Sequence, residues 1–278
     1  MNQNCVSDVI FSSNRIYFKA LGNKGNAKLT LTNNGTRVWT WHIWCTDQPS
    51  TYSVNNFTVM DRNLGAYDEI FYTHEWSCGL YYPYGSPFGF TVAEYSAGVL
   101  GNDKTYMKDY ILHPERPNLT LTSLPMIFNP YNANNAVDVW ARIWGNGAAK
   151  TMYDPCPDGY KVAPYSFWDG ITFTSATYFG MYSGSCFFPF NGKIYKGGFK
   201  TQDIVLGNTN YSNTTTRGYR TYMWSSSGYV SDVKKAWRYH VRKSAGGDSP
   251  TWATDDGPGG LNVEELNLGM GVRCVVGS

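Results

Sequence analysis

The sequence predicts an α+β fold of small, twisted antiparallel sheets with few short helices and long loops. Three observations carry that expectation. Helical periodicity is scarce along the 278 residues. Period-two stretches alternate with turn residues, which is the pattern of half-buried strands. Gly (29), Tyr (22) and Trp (10) recur throughout while charged residues make up only 16%, a composition suited to loops and amphipathic rings rather than to charged helices.

The first element is a hairpin over residues 27–45. Ala27–Thr32 alternates, Asn33-Asn34-Gly35 supplies residues that tolerate positive φ, and Arg37–Trp44 alternates again. Trp39, Trp41 and Ile43 fall on one face of the second strand, and Val38, Thr40, His42 and Trp44 on the other. Trp on both faces predicts a strand covered on both sides. Residues 58–66 read as a short strand entering a turn, and 79–90 as an aromatic Gly/Pro loop. The polar stretch 91–150 has room for a helix near 136–144. Ser166-x-x-Asp169 has the spacing of a capping box opening a short helix. Residues 171–240 read as strands, 243–260 as a long Gly/Asp/Ser/Pro loop, and 269–276 as a buried closing strand. Residues 1–26 are an N-terminal extension or the remnant of an upstream domain, and 27–278 form one domain with no internal repeat or linker.

Several function classes drop out. With 23 basic and 21 acidic residues the formal charge is +2, too balanced for a nucleic-acid field. No apolar run approaches the ~20 residues of a membrane-spanning helix. Met1–Cys5 lacks a basic segment followed by an apolar one, as expected of a mature or truncated form of an exported protein. The histidines His42, His74, His113 and His240 show no H-x-x-x-H spacing, the six cysteines show no C-x-x-C, and G-x-S-x-G and Gly-rich phosphate signatures are missing. No catalytic residue, metal ligand or cofactor is therefore assigned. Asp255-Asp256 in a Gly-rich loop is the best local oxygen cluster for calcium, but the Glu-Pro-Asn type of sugar motif is lacking. Asp61-Arg62-Asn63 reads as a structural triplet, with Arg62 satisfying a carboxylate or carbonyls and Asn63 capping a turn. Arg273 reads as a buried bidentate partner.

Six motifs occur in order: Val38-Trp-Thr-Trp-His-Ile-Trp44, Met60-Asp-Arg-Asn-Leu-Gly65, Gly79-Leu-Tyr-Tyr-Pro-Tyr-Gly85, Pro155-Cys-Pro-Asp-Gly-Tyr160, Met223-Trp-Ser-Ser226 and Gly271-Val-Arg-Cys-Val275. Together they resemble the FISUMP-type domain of Bacteroidetes surface proteins, which include tip adhesins of Bacteroidales fimbriae. The resemblance spans about residues 27–276. It implies a C-type-lectin-like fold, a location outside the cell on the surface or a fimbrium, and non-enzymatic adhesion to a host or bacterial surface glycan or protein, with other fimbrial subunits as further partners. It does not identify the ligand. Two departures stand out. In Val162–Asp169 the Trp precedes the acid, and residues 1–26 are too short for the pilin-like sandwich that usually lies upstream. The alternatives are a phage or retroelement-diversified receptor-binding protein, and a formylglycine-generating-type oxidase on the same scaffold. The latter needs a reactive cysteine pair late in the chain, where only Cys274 stands.

The resemblance also suggests a Cys156–Cys274 disulfide, because both residues lie in the motifs that bracket the lectin-like core; the alternative is two buried thiols. Cys45 and Cys78 are candidates for a second pair, and Cys5 and Cys186 stay unassigned. The ligand face is expected between the Cys-Pro segment and the closing strand, from exposed rings and polar groups: Phe187, Tyr211, Arg217, Tyr229, Trp252, Asp255 and Asp256. Trp224 is expected in the core.

Overall fold

The computed structural model describes residues 5–69, 78–91, 142–177, 180–193, 220–232, 235–243, 252–253, 260–265 and 268–277. Two hairpins open the chain. Strands β1 (Val6–Ser12) and β2 (Arg15–Ala20) pair antiparallel through a turn at Ser13-Asn14, both with positive φ. Strands β3 (Gly25–Asn33) and β4 (Thr36–Cys45) pair around Asn34 (φ 47°) and Gly35 (φ 78°), which realises the predicted hairpin.

One face of the second hairpin docks on the rest of the domain through polar contacts. The Thr30 and Thr40 hydroxyls hydrogen-bond across it at 2.9 Å. Asn26 Nδ2 donates to Gly65 O at 2.9 Å, Trp44 Nε1 donates to Ala66 O at 3.0 Å, and Lys28 Nζ lies 4.3 Å from the Phe90 ring centre. The cross-strand pairs Ala27/Ile43, Leu29/Trp41 and Leu31/Trp39 line the other face and stay half-exposed. Both faces of this strand are thus partly buried. Alternation fixes which residues share a face but not whether a second layer covers it.

His42, on the docked face, has an assigned role in this contact. Asn26 has committed its amide nitrogen to Gly65, so its oxygen, 2.8 Å from His42 Nε2, accepts from the neutral ring. Burial and then the Lys28 charge push the His42 pKa down from 6.5 to about 3. Between these values the unfolded chain takes a proton and the native ring does not. The His42 contribution is therefore present above pH 6.5 and is lost as pH falls toward about 3. Melting temperature should fall more steeply across this window in the wild type than in His42→Gln; parallel curves would refute the assignment.

The body of the domain is built on two four-stranded sheets. In the first, β5 (Thr51–Val54), β6 (Phe57–Asn63), the C-terminal β15 (Arg273–Val276) and β7 (Tyr160–Val162) lie in that order, all antiparallel. The last strand therefore sits in the interior of the sheet, as its apolar run predicts. In the second, β11 (Arg220–Gly228) pairs β12 (Lys235–Lys243), which also pairs β13 (Trp252–Ala253) and β14 (Leu261–Glu265). A smaller sheet contains β8 (Ser175–Ala176), β9 (Gly180–Ser183) and β10 (Cys186–Pro189). Trp252, read as part of an unbroken loop, has its backbone opposite Lys243 in β13.

The two large sheets join where Trp224 N–H donates to Gly271 O (3.0 Å) and Gly271 N–H donates to Tyr222 O (3.2 Å). A Cβ on Gly271 would collide with the Asn191 amide and the Met223 sulfur, so only glycine admits this approach. Asn191 acts as a surrogate strand, donating to Tyr222 O at 3.0 Å and accepting from Tyr222 N–H at 2.9 Å.

The core has two parts with β11 between them. Tyr222 and Trp224 enter one with Trp144, Tyr82, Tyr84, Leu64 and Met270; Met223 enters the other with Phe167, Trp168, Phe188 and Tyr239. Trp224 is fully buried, as expected, and its Nε1 donates to Tyr82 O at 2.7 Å. The Gly/Pro loop 79–90 is core rather than surface, with Tyr81 bridged to Phe90 and Tyr82 to Met270.

The one described α-helix, α1 (Tyr165–Trp168), corrects the capping-box expectation. Pro164 holds the N-cap position at φ −77°, Ser166 lies inside the helix and makes no cap, and Asp169 terminates it in an extended conformation. The fixed φ of Pro164 starts the helix earlier than a Ser166 cap would. Asn55 Nδ2 reaches the terminal carbonyls of Ser166, Phe167 and Asp169 at 3.2, 2.8 and 3.0 Å, groups that the helix itself cannot satisfy. The helix anticipated near 136–144 falls largely outside the described residues; Arg142–Trp144 form a turn.

Cys156 and Cys274 are disulfide-bonded. Cys45 and Cys78 are not a pair. Cys78 is buried against Phe187, whereas the Cys45 thiol lies 3.7 Å from the Cys5 carbonyl. Among the described residues no helix is long and apolar enough to cross a membrane.

Candidate functional site

The antiparallel register of β11, β12 and β14 sorts their side chains by face. Arg220, Tyr222 and Trp224 share one face with Ala236, Arg238 and His240 and with Asn262 and Glu264. Trp224 and Ala236 anchor that face in the core. Beyond them it turns polar while staying buried: Tyr222 (3%), Arg238 (5%) and His240 (2%), joined by Lys193 (5%) from the stretch after β10.

The groups hold one another closely. The Tyr222 and His240 rings stack at 4.2 Å with 5° between their planes. The half-buried Glu264 carboxylate takes two cations on one oxygen, Lys193 Nζ at 2.7 Å and Arg238 Nε at 3.3 Å. Both cations also lie over the Tyr222 ring, at 4.8 and 5.5 Å from its centre. Arg220 Nη1 donates to Tyr222 Oη at 3.4 Å. Packing on the sheet and contact with one another hold these groups in a fixed, buried arrangement. Two stacked rings flanked by guanidinium and ammonium donors make a polar cluster at the margin of the core, a donor-rich chemistry of the kind that orients polar ligands. Among the described residues, no three His, Cys, Asp or Glu side chains gather as a metal-ligand set would.

Those of the sequence-based site residues that are described do not converge. Phe187 is corrected from exposed to 3% exposed: all of β10 is buried, and its ring packs on Tyr182 at 5.0 Å. Tyr229 is half-exposed just past β11, edge-on to Trp237 at 5.4 Å. Its N–H donates to Lys235 O at one end of β12, while the Trp252 backbone pairs with Lys243 at the other. Eight strand steps separate these ends by roughly 26 Å, too far for one small-ligand site. Tyr211, Arg217, Asp255 and Asp256 lie outside the described residues, and with the last two goes the calcium candidate.

The residues that sequence reasoning missed are Lys193, Tyr222, Arg238, His240 and Glu264. Part of the signal was there: Arg220-x-Tyr222-x-Trp224 and Ala236-x-Arg238-x-His240 place polar and aromatic groups on one face at period two.

Asp61-Arg62-Asn63 serves structure. Arg62 forks onto the Asp61 carboxylate at 2.7 and 2.9 Å and donates to Tyr67 O at 2.9 Å, while Asn63 Nδ2 donates to Cys78 O at 2.9 Å. Compared with protein-family models, curated proteins and solved structures, the chain matches none of them.

Proposed function

We propose that this chain is a C-type-lectin-like recognition domain of a surface or fimbrial tip adhesin, which binds a glycan or protein ligand without chemical turnover. The observation that carries the reading is the preorganised face of Tyr222, His240, Arg238, Lys193 and Glu264. Its contributors flank the two long segments, 194–219 and 244–259, in which the sequence concentrates its binding-type residues. The six ordered motifs support the fold, as does a closing strand that is disulfide-linked to the Cys-Pro segment. The disulfide also favours an oxidising, extracellular location. It speaks against the oxidase reading as well, since the one late cysteine is already bonded.

The test begins with an array of glycans and host surface proteins. For a ligand found there, Trp252→Ala should weaken binding by about 2 kcal/mol or more, the usual hot-spot threshold, with melting temperature nearly unchanged. Lys193→Met should also weaken it, with the loss read by titration calorimetry. Unchanged affinity in the Lys193 variant would move the site off this face, unchanged affinity in the Trp252 variant would take it away from the 244–259 segment, and a stoichiometric transition metal held by Cys or His in the purified protein would turn the reading toward an enzyme.

A further inference from the structure

The two N-terminal hairpins meet at their open ends. Cys5 stands just before β1, and its carbonyl accepts the Leu21 N–H at 3.0 Å, closing the root of the first hairpin. Cys45 ends β4 opposite Gly25, at the root of the second. Only a few residues, from Leu21 to Lys24, connect the two roots, so the cysteines become neighbours although 40 positions apart. Cys45 Sγ lies 3.7 Å from Cys5 O, and the two thiols are within hydrogen-bonding reach of each other. Cys5 is buried and Cys45 half-exposed. The other two cysteines outside the Cys156–Cys274 bond sit elsewhere: Cys186 beneath Arg273 Nη1 at 3.8 Å, and Cys78 against Phe187.

We infer that Cys5 and Cys45 form a second disulfide, closed by exchange with a small-molecule disulfide and reopened by mild reductant while Cys156–Cys274 persists. The asymmetry in exposure orders the steps. The accessible Cys45 thiolate attacks the small disulfide, forming a mixed disulfide and expelling one small thiolate. Cys5 gives its proton to solvent base and attacks Cys45 Sγ, expelling the second small thiolate. Two protein thiols and one small disulfide become one protein disulfide and two small thiols, with no electrons left over. Burial first, and then the neighbouring Cys45, push the Cys5 thiol up to about 11, so the second step quickens as pH rises. Cys274 is fully buried and Cys156 nearly so, which shields their bond from the same reagent.

The bond would rivet the first hairpin to the second at their roots. That hairpin has little else to hold it, since Val9, Ile10, Phe11 and Tyr17 are 48–60% exposed.

The full chain is equilibrated with oxidised glutathione at mildly alkaline pH, alkylated, digested without reduction and mapped. A linked peptide containing Cys5 and Cys45 is expected. Cys5→Ser should stop the reaction at a stable glutathione adduct on Cys45. A stepwise rise in reduced glutathione should then release the Cys5–Cys45 peptide before any Cys156–Cys274 opens. Recovery of Cys45 joined to Cys78, alkylation of both Cys5 and Cys45 after oxidation, or earlier opening of Cys156–Cys274 would overturn the inference.

Discussion

Arg273→Met should unfold at a much lower urea concentration than the wild type, with about 3–5 kcal/mol of stability lost, as three buried acceptors lose their donor at about 1–3 kcal/mol each. The guanidinium is fully buried. Nε donates to Asn63 Oδ1 at 3.0 Å, Nη1 to Met60 O at 2.9 Å and Nη2 to Phe187 O at 2.7 Å, while its plane lies 4.4 Å from the Phe188 ring centre. Desolvation lowers its pKa below the ordinary value, yet arginine stays charged at such sites. Methionine relieves the buried charge but strands two backbone carbonyls and an amide oxygen, each costing about 1–3 kcal/mol when unsatisfied. The second effect is the larger because all three acceptors sit where β6, β10 and β15 meet and have no water to turn to. Arg273→Lys should fare nearly as badly, since one ammonium cannot span acceptors on three segments. A loss below about 1 kcal/mol in urea titration would mean that the carbonyls repack, and the network would not be a determinant of stability.

The paired change Cys156→Ala and Cys274→Ala should cost about 4–5 kcal/mol, because the bond closes a loop with a sequence separation of 118 and removes that entropy from the unfolded chain. Local order at Cys156 does not depend on the bond. Asp154 accepts from Cys156 N–H and Val162 N–H, both at 2.9 Å, and from Lys150 Nζ at 3.1 Å. That bracket should keep the Cys-Pro turn native-like in the double variant, so the loss should appear in unfolding free energy rather than in a rearranged fold. Unfolding midpoints with and without reductant give the check: the wild type should shift on reduction and the double variant should not. Equal stability of wild type and variant would assign the bond no thermodynamic role.

What the sequence made legible was local or strongly patterned. Asn34-Gly35 between two alternating runs specified the hairpin of β3 and β4, and the apolar run before Val276 specified a buried strand. Contacts between distant segments were not legible in the same way. Lys193 and Glu264 meet across 71 positions, and neither residue carries a local signature of that meeting. Phe187 looked like an exposed ring because the aromatic Gly/Ser stretch around it resembles a surface loop, yet its neighbours Cys78 and Tyr182 enclose it. The Cys5–Cys45 adjacency depends on two hairpins folding back at the same point, which no count of cysteine spacings encodes.

The interior place of β15 has a bearing on biogenesis. Asn63 and Arg273 are directly paired, yet 210 positions separate them. On a ribosome β6 emerges long before its neighbour β15 and waits with an open edge. Loop closure over such a span is slow, and topology rather than stability sets the rate. Exposed edges meanwhile invite pairing with other chains. A holdase that shields β6 until the final strand arrives would therefore raise the yield of native protein.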